Sequence, residues 1–109
     1  DQAHAREGFA RLEHLVVQDI FMTETAAFAD VILPASAFPE KTGTVTNTDR
    51  RVQMGRIAVP MPGDARQDWW IIQELANRMG QSWNYQNPAD IFNEMRIVMP
   101  SLTGITWQP

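Results

Sequence analysis

The sequence predicts an α/β fold: a partial parallel layer, then a loop-rich middle, then two C-terminal helices. Three observations carry this reading. Residues 3–34 read as helix, strand, helix, strand, the order of a parallel layer. Pro34, Pro39, Pro60 and Pro62 break the middle of the chain. Two helical patterns with start signals follow, over 64–80 and from 87 onward.

The first helix is expected over 3–13, where Ala5, Phe9 and Leu12 recur at offsets of four and three on one face. Leu15 to Val17 begin a short buried strand that ends at the polar pair Gln18-Asp19. Thr23 is the expected N-cap of a short helix reaching Ala29, because its hydroxyl can accept from a first-turn amide. The apolar run Val31-Ile32-Leu33 is the second strand, and Pro34 stops it. Two parallel strands are too few to stand alone, so their neighbours are expected upstream of Asp1. The chain also starts without an initiator Met and is expected to be processed, renumbered or a piece of something longer.

Within the middle, Thr44-Val45-Thr46 and Val52-Gln53-Met54 are candidate β segments flanking Asn47-Thr48-Asp49. Asp64 and Gln67 resemble a capping box opening the next helix, and Gly80 is its expected C-terminal cap. Trp69, Ile72, Ala76 and Met79 share one stripe of it, beside Leu75, and are expected to be core. Asn87-Pro88 starts the last helix, which carries Ile91, Phe92 and Met95 toward Met99. The division expected is therefore 1–34, 35–63 and 64–109 within one domain.

Composition narrows the function. An apolar content of 44% with four Trp predicts a packed chain with a modest core. The chain has no cysteine, so no disulfide, thiolate zinc site, iron–sulfur ligand or Cys nucleophile belongs to it. His4 and His14 fit no standard ligand spacing and read as surface residues, so no metal ligand is expected. A net charge of −4 argues against nucleic acid as partner. No apolar run approaches membrane-spanning length and no signal-peptide layout occurs, so a cytoplasmic location away from membranes is expected. Lys41, Arg50, Arg51 and Arg56 face only Asp49 over 41–56, a local basic patch suited to an anion.

Gln18 and Asp19 stand at the carboxyl end of a strand, where open α/β sheets place ligands. An Asp there can accept from a base edge or ribose hydroxyls, or merely close a strand-end turn. Thr23 and Thr25 offer hydroxyls beside the free amides of a helix start, which suit a phosphate or pterin, or simple capping. In Gly43–Arg51, Gly43 permits close backbone approach, Asn47 offers both donor and acceptor, and Arg51 can bind an anion bidentately. A solvated charged loop is the alternative. Arg50 is expected to point away from Arg51 if the backbone there is extended. Glu40 and Lys41 could pair with each other or with a ligand. No nucleophile elbow, dinucleotide fingerprint or P-loop occurs, and Ser36 and Ser82 lack an evident His partner, so no catalytic residue is assigned.

The runs VVQDIFMTETAAFADVILPAS, EKTGTVTNTDRRVQ and GDARQDWWIIQELANRMG, in that order, resemble the molybdopterin oxidoreductase (dimethyl sulfoxide reductase) family. The likeness extends through NPADIFNEM and GITW and is greatest to the α subunit of NAD-dependent formate dehydrogenases. It implies the end of an α/β domain that binds molybdopterin guanine dinucleotide, leading toward a missing C-terminal domain. It implies two such cofactors around one Mo or W, with iron–sulfur clusters elsewhere in the parent. Gln18, Asp19, Thr23, Thr25, Asn47 and Arg51 would then contact cofactor, and the metal ligand would lie outside this segment. Asp49 stands where the family commonly has Glu, and Arg50 where many members have Gly. The parent would oxidise formate to carbon dioxide and pass electrons through partner subunits to NAD, while this segment alone would be inactive. The rival expectation is a free-standing binding or dimerisation module descended from that family. Either way, the isolated chain is expected to dimerise through open edges and apolar faces.

Overall fold

A computed structural model describes residues 1–107, so the last two positions of the 64–109 segment lie outside the described residues. Helix α1 spans Gln2–Ala10, and the Asp1 carboxylate caps it by accepting from the Ala3 amide at 3.0 Å. It stops short of the predicted residue 13. The amides of Arg11 and Leu12 bond the carbonyls of Gly8 and Phe9, three residues back, which tightens and ends the last turn. Leu12 therefore leaves the predicted face and is 51% exposed. Phe9 does pack, with its ring 6.1 Å from that of Phe28.

Strands β1 (Val16–Asp19) and β2 (Val31–Pro34) pair in parallel, from Val16 opposite Val31 to Asp19 opposite Pro34. Asp30 pins their start: its carboxylate accepts from the Leu15 amide at 2.7 Å, and its own amide bonds the Leu15 carbonyl at 2.9 Å. The predicted helix between them is only a 3₁₀ turn, Ala26–Phe28. The Thr23 hydroxyl accepts from the Ala26 amide at 3.2 Å, as a cap should, but Ala29 is already extended so that the chain can enter β2.

The loop-rich middle holds a hairpin. Strands β3 (Gly43–Thr46) and β4 (Val52–Gly55) pair antiparallel, Gly43 opposite Gly55 and Thr46 opposite Val52. Asn47 closes the turn, its carbonyl accepting from the Arg50 amide at 3.0 Å and its Oδ1 from the Arg51 amide at 2.8 Å. Arg50 sits at φ 65°, so the backbone there is left-handed, and the extended case in which Arg50 would point away from Arg51 does not arise.

Helix α2 spans Asp68–Arg78 and α3 spans Pro88–Val98. The start at Asp64 is corrected by four residues. Arg66 instead bridges to Ala35: its amide bonds the Pro34 carbonyl at 3.0 Å, and its carbonyl accepts from Ser36 at 2.9 Å. A backbone committed to that bridge cannot also be the first helical turn, so no capping box forms at Asp64. The C-terminal end behaves as predicted. Gly80 is left-handed at φ 96°, its amide bonds Asn77, and the Gln81 amide reaches back to Ala76. Asn87 caps α3 by accepting from the amides of Ala89 and Asp90. Gln73 and Asn77, one turn apart on α2, grip the backbone of Tyr85 and Trp83 with both ends of each amide.

The expected packed core is absent from this arrangement. Among the described residues the buried apolar side chains are Ala26, Ala35, Ala65 and Ile71. The stripe expected as core is largely open, with Ile72 52% and Met79 83% exposed. The buried residues of α2 are Ile71 and Gln73, two apart and so on different faces, with Gln73 bonded to the Tyr85 backbone.

Candidate functional site

Successive side chains of a strand leave opposite faces, so Gln18 and Asp19 do not share one surface. Gln18 reaches across to α2, where its Nε2 donates to Asp68 Oδ1 at 2.8 Å. Asp19 curls onto its own turn, Oδ1 accepting from the amides of Ile20 at 2.7 Å and Phe21 at 3.4 Å. The Thr23 hydroxyl is engaged as a cap. Thr25, exposed, lines a shallow depression with Arg6, Phe9 and Glu24. Asn47 and Arg51 stand together at the hairpin tip, where the Arg51 guanidinium is 3.9 Å from the Asp49 carboxylate and largely exposed. Among the described residues, no hydrogen bond joins the hairpin tip to the β1 end.

Asp68, which the sequence reading did not single out, organises the region together with Lys41. Asp68 opens α2, where a carboxylate is favoured by the helix dipole. It accepts from Gln18 on one oxygen and from Lys41 Nζ on the other at 2.5 Å. Lys41 Nζ also donates to the Ser36 carbonyl at 3.1 Å. Partial burial opposes ionisation of Asp68, yet the bonds from Lys41 and Gln18 outweigh it and hold the carboxyl below its ordinary range. Glu40 is not the partner of Lys41, since it accepts from the Ala37 amide at 2.8 Å. Lys41 and Asp68 also line a cavity of about 250 Å³ with Phe38, Thr44, Trp69 and Pro88. A partner 50 residues away leaves no periodic trace in sequence. The acid at the first position of α2 was the available signal.

The arrangement offers hydrogen-bond donors and acceptors to a ligand. Acceptor atoms of Asp19, Thr23 and Asn47 are occupied by local amides. Donors remain at the Thr25 hydroxyl, the Asn47 amide nitrogen and the Arg51 guanidinium, all on exposed residues. The sequence profile of the molybdopterin oxidoreductase family matches residues 1–78.

The chain belongs to that family.

Several proteins similar to this molybdopterin oxidoreductase chain are named formate dehydrogenases. YrhE of Bacillus subtilis (strain 168), provisionally named a formate dehydrogenase, is 55% identical over 105 residues, 96% of this chain and 11% of its own. The α subunit of an F420-dependent formate dehydrogenase from Methanocaldococcus jannaschii is 52% identical over 110 aligned positions, 99% of this chain and 16% of its own. The α subunit of an F420-dependent formate dehydrogenase 2 from Methanococcus maripaludis is 46% identical over the same span, again 16% of its own length. The chain thus spans between 11% and 16% of these relatives. No helix among its described residues is long and apolar enough to cross a membrane.

Proposed function

We propose that this chain is a segment of a formate dehydrogenase α subunit, holding molybdopterin guanine dinucleotide and performing no catalysis alone. The observation that carries the reading is identity of 46–55% to formate dehydrogenases across nearly all of this chain. The donor set fits such a cofactor. Exposed N–H and O–H groups at Thr25, Asn47 and Arg51 suit phosphate oxygens. The carboxylate of Asp19 and the carbonyl of Gln18 suit N–H and hydroxyl groups. Thr23, with its oxygen engaged by Ala26, retains its hydroxyl proton for the same ligand. When bound, the paired cofactors with Mo or W supply the centre at which formate becomes carbon dioxide. The segment's own residues bind and orient.

In this reading iron–sulfur clusters in the rest of the α subunit and its partner subunits would supply the path for electrons. The acceptor is NAD, on the likeness of the Asp49-Arg50-Arg51 turn to that branch, and the location is the cytoplasm, where the NAD pool is. Two relatives are named for F420. The acceptor test therefore measures formate-dependent reduction of both NAD and F420 by the native protein, and reduction of F420 alone would overturn the NAD part.

The deciding experiment is an immunoblot of source-cell extract with an antibody to residues 40–56. A band several times larger than 12.4 kDa, carrying GMP released on acid hydrolysis and Mo or W, is expected. A band at 12.4 kDa would overturn the reading in favour of a free-standing module.

A further inference from the structure

We infer that Asp68 and Lys41 are positioning residues that fix which end of the Gln18 amide meets a ligand; the inference rests on the cofactor reading above. A glutamine amide carries donor and acceptor on one plane, and half a turn about its last bond exchanges them. An ionised carboxylate only accepts. Asp68 Oδ1, at 2.8 Å, is therefore met by the nitrogen of Gln18 and leaves the carbonyl oxygen to face away.

Lys41 keeps this polarity from reversing. Its ammonium occupies Asp68 Oδ2 at 2.5 Å, so the carboxylate neither rotates freely nor takes up a proton to become a donor. The ammonium is itself anchored on the carbonyl of Ser36, a residue only 1% exposed whose amide is bonded to Arg66. Gln18, Asp68 and Lys41 come from β1, the start of α2 and the segment before β3. The end of β1 thus offers an acceptor at Gln18 and prefers ligand groups that donate an N–H or O–H. A phosphate oxygen placed there would meet a lone pair, whereas Thr25, Asn47 and Arg51 offer protons.

The clamp contributes little to stability, because Lys41 and Asp68 are 34% and 43% exposed and such pairs are heavily screened. Its effect should therefore appear in ligand retention. The test uses the whole native polypeptide carrying this segment, purified with its cofactor. GMP released per polypeptide and the thermal midpoint are measured in parallel.

In D68N the new amide offers either end to Gln18, so GMP per polypeptide should fall about tenfold with little change in midpoint. In the D68N/Q18E pair, the Asn nitrogen donates to the new carboxylate, whose second oxygen still accepts. GMP should return to within about twofold of wild type. K41M carries the test where D68N does not accumulate, with GMP falling at an unchanged midpoint. Wild-type GMP in D68N or K41M overturns the inference, as does GMP loss that merely follows a falling midpoint. A wild-type protein holding no GMP overturns the cofactor reading itself, and this inference with it.

Discussion

Arg50 holds a left-handed backbone at φ 65°, a conformation that costs a side-chain-bearing residue about 1–2 kcal/mol. Gly adopts this turn geometry without a side-chain clash. Arg50→Gly in the native polypeptide is expected to move the denaturant midpoint upward by about 1 kcal/mol of stability, less the entropy Gly adds to the unfolded chain. A lower midpoint would show that the Arg50 side chain makes a contact worth more than the strain. Asp68 sets a second expectation at this scale. Its pKa is depressed on folding, so its contribution is present above the unfolded value and is lost as pH falls through the folded one. Comparing wild type with D68N, the small stability difference at neutral pH should vanish as pH drops below the usual aspartate range. A difference that grew with acid would reverse the assignment. Residue roles were legible where partners are local. Asp19 and Thr23 serve nearby amides, the turn and cap readings weighed for them, whereas Asn47 takes the Arg51 amide, a role the sequence reading had not given it. Gln18 was not legible in this way, because its partner lies 50 residues on.

Element ends tell the same story in both directions. The α2 close at Gly80 and the α3 start at Asn87-Pro88 were readable because each rests on residues adjacent in sequence. The α2 start was misplaced because Arg66 is drawn into a bridge with Ala35, a contact no local signal announces. Two substitutions weigh these ends. Gly80→Ala would meet nothing within 4 Å, so its cost is conformational alone, about 1 kcal/mol at φ 96°. Asn87→Ala removes two cap bonds and should cost about 1 kcal/mol as well. Amide exchange by mass spectrometry should localise the first loss to 76–81 and the second to 87–92. Loss spread evenly over both helices would mean that the ends are not independent. Tyr85 adds a further tie, since its hydroxyl donates to Glu94 of α3, which holds the phenol protonated above its ordinary range.

At the scale of the whole molecule, accessible surface decides the matter. The chain exposes 8447 Å². A self-sufficient monomer of 12.4 kDa would expose about 6,100 Å². Its radius of gyration is 17.0 Å where about 13 Å is usual for this length. Residues such as Phe21, Met79 and Ile97, exposed by 72%, 83% and 80%, leave large apolar side chains open to solvent. Taken alone, the chain is expected to self-associate through those faces and the open edges of β1 and β2. Sedimentation at high concentration checks this, and a strictly monomeric profile would contradict it. Composition misled here because apolar content says how much could be buried, not within which molecule. The four buried apolar side chains among the described residues, three of them alanines, carry one last consequence. Cooperative melting needs a core large enough for its parts to fail together, and its signature is the heat capacity of newly wetted apolar area. Three alanines and one isoleucine supply almost none. In a calorimeter the isolated chain is therefore expected to show no cooperative transition of its own.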